Sequence, residues 1–213
     1  SDKTLSVTDK QASQHRFLGS GIEGLLRIAS NYSHRFDEVV LSLPKGRTLK
    51  AINVSANRGQ TTIINASLEN AILNTNGYLL RIEGSRIKNS KFTTPNIINI
   101  FKTELTDSQV KTEGGHIYAE NIKIRGRVEL DSHNDLTLFL SKTEFDRINL
   151  DISSKHGGIY RKAYREHPRQ KDNELANPYK TDKADVKDIL IIKANQGIYL
   201  PKEEEYSAPP RNH

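Results

Sequence analysis

Ala66-Ser67-Leu68-Glu69-Asn70 with Ala71-Ile72-Leu73, Ser85-Arg86-Ile87-Lys88-Asn89 with Ser90-Lys91-Phe92, and Thr103-Glu104-Leu105-Thr106-Asp107 with Ser108-Gln109-Val110 are three versions of one pattern. Each five-residue unit runs small residue, any residue, large apolar residue. Leu68 to Ile87 is 19 positions and Ile87 to Leu105 is 18, so a five-residue beat sits inside a repeat of roughly 20, the signature of a solenoid. The central Leu, Ile, Phe or Val of each unit then points inward and the small residue packs beside it. Four such faces make a coil, with successive coils stacked about 4.8 Å apart. Leu68, Ile87 and Leu105 form one predicted inner column, and Leu73, Phe92 and Val110 the next. The outward positions agree. Asn70, Asn89 and Asp107 fall in one corner column, and Glu69 with Lys88 and Arg86 with Glu104 set opposite charges on successive coils. An amphipathic helix accounts for none of these coincidences.

Outward from this stretch, the composition fits a thin core. The 213 residues are 35% hydrophobic with a mean hydropathy of -0.65, low for a layered domain and tolerable where one column of side chains is the whole core. No apolar run is long enough to span a membrane, so no membrane insertion is expected. The start, Ser1-Asp2-Lys3-Thr4-Leu5, lacks the apolar core of a cleavable signal peptide, and the chain is expected to be part of something longer. Without a cysteine it has no disulfide, thiolate metal site or cysteine nucleophile. The net charge of +6 is spread along the chain.

The chain divides into 1–49, a lead-in and capping helix; 50–156, a β-helix of about five coils; and 157–213, a linker or docking arm with a short β-hairpin. Residues 1–18 read as a poorly ordered lead-in. Ile22, Leu25, Leu26 and Ile28 match one face of a helix over 20–31, which would cover the open first coil. Val39-Val40-Leu41 reads as a strand. Beyond Val110, Leu136, Leu138 and Leu140 alternate as a strand does, and Thr143-Glu144-Phe145 with Leu150 restores the coil motif. Gly114-Gly115, Gly126 and Ser132-His133-Asn134-Asp135 read as corners. Asp188 to Lys193 and Ile198-Tyr199-Leu200, separated by Asn195-Gln196-Gly197, read as the hairpin.

Chemical motifs are sparse. Gly19-Ser20-Gly21-Ile22-Glu23-Gly24 fits the letter of the dinucleotide-binding glycine pattern, but no buried strand precedes it and no alternation of strand and helix follows. No cofactor is expected. The seven histidines show no metal-ligand spacing, so no metal is expected either. Glu104, Asp107, Glu129, Asp131 and Asp135 are the carboxylates that would have to converge in a carbohydrate-binding or carbohydrate-cleaving β-helix, the alternative reading. The arm after Gly158 interleaves Tyr160, Tyr164 and Tyr179 with basic residues, but Glu166, Asp172, Glu174 and Asp182 offset them, and nucleic acid is not the expected partner.

The runs at 66–73 and 85–92 resemble the pentapeptide-repeat family, which implies a right-handed quadrilateral β-helix. A helical cap, an irregular β-helix and a connecting arm also resemble the amino-terminal β-helix domain of bacterial HECT-like E3 ubiquitin-ligase effectors of the SopA type. That resemblance implies a non-catalytic, monomeric module, secreted into a host cell, that binds a host protein as substrate or partner. In those proteins a separate lobe holds the catalytic cysteine. The expected partner-binding surface comprises Arg86, Lys88, Lys91, Arg161 and Arg165.

Overall fold

A computed structural model describes residues 60–161 and 174–200 in full and, before them, the backbone of five strands. These five are β1 (Ser6–Asp9), β2 (Leu26–Ala29), β3 (Glu38–Ser42), β4 (Thr48–Leu49) and β5 (Ile52–Ser55). Five coils follow. The first holds β6 (Gln60–Ile64), β7 (Ser67–Glu69) and β8 (Ile72–Asn74); the second holds β9 (Leu79–Glu83), β10 (Arg86–Lys88) and β11 (Lys91–Thr94). The third holds β12 (Ile97–Phe101), β13 (Glu104–Thr106) and β14 (Gln109–Thr112), and the fourth β15 (Ile117–Glu120), β16 (Lys123–Arg125) and β17 (Arg127–Ser132). The fifth runs through β18 (Leu136–Phe139), helix α1 (Lys142–Arg147) and β19 (Asn149–Ser154). Then come β20 (Ile159–Tyr160), β21 (Glu174–Leu175), β22 (Tyr179–Lys180), β23 (Ile189–Ala194) and β24 (Ile198–Tyr199).

The coils stack as parallel ladders in the register that the repeat predicts. Leu68, Ile87, Leu105 and Ile124 are successive partners in one ladder, and Leu73, Phe92, Val110 and Leu130 in another. All eight are essentially buried. Each such side chain contributes roughly 1.5–3 kcal/mol of burial before conformational entropy is subtracted.

The coil has three sides, not four. Its strands form one ten-stranded sheet, one of seven and one of five. The five-residue beat holds only across the two short sides. The remaining side is a single longer strand with two inward residues two positions apart, such as Leu80 and Ile82 of β9, so it makes one flat face where two five-residue faces were expected.

The corners explain the small and amide columns. Asn70, Asn89 and Asp107 adopt φ of 54°, 47° and 46°, and Gly126 continues their column at 61°. Asn65, Gly84, Lys102 and Asn121 make a second left-handed column at the preceding corner. Asn and Asp tolerate this region better than other side chains because their short polar groups bond locally. At Gly126 a Cβ would stand 2.0 Å from Asp107 Oδ1, so glycine is required there twice over. Beside these corners the small residues do more than fit. Ser90 Oγ accepts from Ala71 N–H at 3.0 Å and donates to Lys88 O at 2.7 Å, and Ser108 repeats both bonds one coil on. Ser85 and Thr103 do the same on the other column. Each hydroxyl satisfies a buried amide that the parallel ladder leaves unpaired.

Four expectations are corrected. Leu26–Ala29 is not helical but a strand paired in parallel with β5; Leu26 and Ile28 also alternate with period two, and so short an apolar run fits either element. The rest of 20–31 lies outside the described residues. Within the expected lead-in, Ser6–Asp9 pairs antiparallel with β3. Thr143-Glu144-Phe145 belongs to α1, which Ser141 caps by accepting from Glu144 N–H at 3.2 Å, the Ser-x-x-Glu signature of a helix start. Finally, β23 and β24 do not pair with each other. β23 lies between β17 and β19 and β24 between β18 and β20, all parallel, while Asn195 and Gln196 stack on the corner at Ser132 and Asn134. The last described strands are thus inserted between elements formed earlier in the chain.

Both ends of the ten-stranded sheet and one end of each of the seven- and five-stranded sheets are covered. β1 and β21 close the ten-stranded sheet with antiparallel pairings, and β22 does so for the seven-stranded one. Such closure denies incoming strands an open parallel edge. At the five-stranded sheet α1 occupies the place of a sixth strand. Glu144, almost buried, accepts from Ile124 N–H at 2.5 Å, and Arg147 donates to Ile124 O, Glu144 and Asp188.

Candidate functional site

Because inward positions are filled by the core, the groups available to a partner are those that alternate outward. The expected basic surface is partly assembled. Arg86 and Lys88 lie exposed on the outer face of β10, with Arg86 in register with Glu104 and Lys88 ion-paired to Glu69 at 3.1 Å. Lys91, also exposed, stands on β11 across the Asn89–Ser90 corner, beside Ile72 and Gln109. Arg161 is at the other end of the stack, its guanidinium 4.9 Å from the centre of the Phe145 ring, which Lys183 also approaches at 5.2 Å. Arg165 lies outside the described residues, as does the glycine pattern at 19–24.

The five candidate carboxylates do not converge. Glu104 faces outward from the five-stranded sheet, Asp107 sits at a corner accepting from Arg127 N–H at 3.0 Å, and Asp135 accepts from Gly197 N–H at 2.9 Å. Only Glu129 and Asp131 share a face, paired to Lys193 at 2.7 Å and Lys111 at 3.4 Å. The Glu129 bond raises the Lys193 pKa and outweighs burial, which acts the other way. A shallow pocket of about 300 Å³ opens on this face, lined by Asp131, Ser153, Lys155, Lys193 and Asn195. Among the described residues no group of three His, Asp or Glu stands close enough to hold a metal ion.

The repeat period carries a feature that charge reading missed. On the outer face of the ten-stranded sheet, Glu83, Phe101, Glu120 and Phe139 succeed one another in one ladder, with Tyr118 in the neighbouring column. Tyr118 lies 5.7 Å from Phe101 and 5.5 Å from Phe139, ring centre to ring centre, with planes tilted about 50°. Arg81 sits 5.3 Å above Phe101 and is held by Glu83 at 2.6 Å. Tyr118 Oη donates to Glu120 at 3.0 Å; burial, then the Glu120 charge, push its pKa up, so it stays a neutral donor. Ile64 and Ile97 of the same sheet are 43% and 38% exposed. The sequence signal is the 18- and 19-residue spacing from Glu83 through Phe139, the period of the inner columns.

Parallel ladders, coils of 18 to 20 residues and stacked inner columns define a β-helix-like repeat protein. The chain belongs to the Toastrack DUF4097 family, which matches residues 1–200. No curated protein and no solved structure matches it. No helix among the described residues is long and apolar enough to cross a membrane.

Proposed function

We propose that this chain is a non-catalytic recognition module that binds a protein partner through its outer faces. One observation carries the reading: the outward row of Phe101, Tyr118 and Phe139, flanked by Arg81 and by exposed Ile64 and Ile97, on the broad ten-stranded face. Aromatic residues and arginine are enriched at protein interfaces and dominate their energetics, and solvent-facing apolar side chains on one face mark such sites. The basic group of Arg86, Lys88 and Lys91 lies on other faces and would steer an acidic partner rather than anchor it.

The test is capture of one saturable partner by the intact chain, repeated with Phe101→Ala and Tyr118→Ala. Loss of that partner with an unchanged circular dichroism spectrum supports the reading. Retention by both variants, or no saturable partner, contradicts it. The narrower reading, a host-directed module of a HECT-like ubiquitin-ligase effector, rests on the sequence resemblance alone. A parent reading frame without a downstream cysteine-bearing lobe would end it.

A further inference from the structure

The order of strands in the two larger sheets departs from chain order at one place, where β23 and β24 enter between elements made earlier. β17 forms one wall of this slot and β19 the other, each in register with β23 over six residues. Leu190, Ile192 and Ile198 are fully buried in the slot. The segment is held at its ends by side chains of other elements. Asp188 accepts from Gly126 N–H at 2.6 Å and pairs with Arg147, and Gly197 N–H donates to Asp135. Thr181–Asp188 leads into it, with Asp185 left-handed at φ 67°.

We propose that this segment is exchanged between two copies of the chain, the slot of each receiving β23 and β24 of the other. When the segment leaves, β17 and β19 present two facing rows of unpaired backbone groups over an open apolar column. A strand with edges on both sides gains twice the ladder bonds of ordinary edge addition. The strand that fits best is another copy's, because only it brings Leu190, Ile192 and Ala194 inward in register and an Asp for the Gly126 and Arg147 donors. Every native bond of the slot re-forms, and only the hinge at 181–187 differs, the condition under which swapping costs little. At roughly 3.3 Å per residue that hinge spans far enough to reach a neighbour.

The chain has no cysteine, which makes the test direct. Ser153 and Lys193 are outward partners on β19 and β23. Adjacent strands bring their Cα atoms about 4.8 Å apart, inside disulfide range. Ser153→Cys and Lys193→Cys variants of the 213-residue chain are mixed at high concentration, passed through mild urea, returned to buffer and oxidised. Cross-linked peptides are then counted by mass spectrometry. Exchange predicts that the 153–193 link exceeds, several-fold, both symmetric links and the link formed by Ser153→Cys with Lys88→Cys. A species of twice the 24.1 kDa chain mass should accompany it in light scattering. Links at the control level, or monomer alone, would overturn the proposal.

Discussion

Ile87 and Lys88 are neighbours on β10 that differ in the direction they face: Ile87 is 1% exposed within the inner column, and Lys88 points to solvent toward Glu69. Ile87→Asp buries an unpaired carboxylate and should cost more than about 4 kcal/mol, enough to unfold a marginal solenoid, whereas Lys88→Asp should cost about 1 kcal/mol or less. Urea titration of both variants decides it, and equal tolerance would refute the register. Ser90 tests the hydroxyl ladder in the same way. Ser90→Ala keeps the size but leaves the buried Ala71 N–H without an acceptor, so a loss of about 1–3 kcal/mol is expected, while Ser90→Thr should retain most of the stability. At this scale the sequence was informative about direction and less so about bonding. That Ser90 is small can be read within one unit, but what its hydroxyl does depends on an amide in the coil above.

Helix α1 stands where the five-stranded sheet runs out, and its worth lies in what Glu144, Arg147 and Asp188 do for the last strand's backbone. Its signature, Ser141 followed by Glu144, was present in the sequence but hidden by Thr143-Glu144-Phe145, which also satisfies the coil pattern. Which reading wins is decided by whether a neighbouring strand exists, a nonlocal fact. Leu26–Ala29 failed for the converse reason: four residues satisfy two periods, and pairing with Ile52–Ser55 chooses between them. The capping network makes a pH prediction. Burial alone would push the Asp188 carboxyl up, but the Gly126 N–H and the Arg147 guanidinium outweigh it and hold the carboxyl below its ordinary value. With the folded value depressed, the stabilisation is fully present above the unfolded value, near 3.8, and is lost as pH falls through the folded one. Asp188→Asn should therefore be less stable than the parent at neutral pH, with the gap closing as both are acidified below that range. Urea midpoints measured from neutral to strongly acidic pH check this, and a gap independent of pH would remove the carboxylate from the cap.

For the whole molecule the decisive fact is the insertion of β23 and β24 among earlier strands, and it was the least legible. Ile189 to Lys193 is plainly a strand by composition, yet nothing in those residues says that its neighbours are Arg127–Ser132 and Asn149–Ser154 rather than the nearby Ile198-Tyr199. The aromatic row was hidden differently: its members are 17 and 21 residues apart and read singly as ordinary surface or core residues until the coil stacks them. The insertion also concentrates stability near the carboxyl end. Leu190, Ile192 and Ile198 together bury enough apolar surface, at roughly 1.5–3 kcal/mol each, to rival the whole stability of a domain, about 5–15 kcal/mol. A chain ending at Val186 should therefore lose its cooperative thermal transition and bind a hydrophobic dye, although every coil up to β19 remains in its sequence. A synthetic peptide of residues 187–200 added in trans should restore the transition, and the same peptide with Leu190→Asp and Ile192→Asp should not. Circular dichroism melting of the three samples is sufficient. An unchanged melting midpoint in the truncated chain would mean that β17 and β19 close on each other without the segment, and that the slot is not a required part of the folded stack.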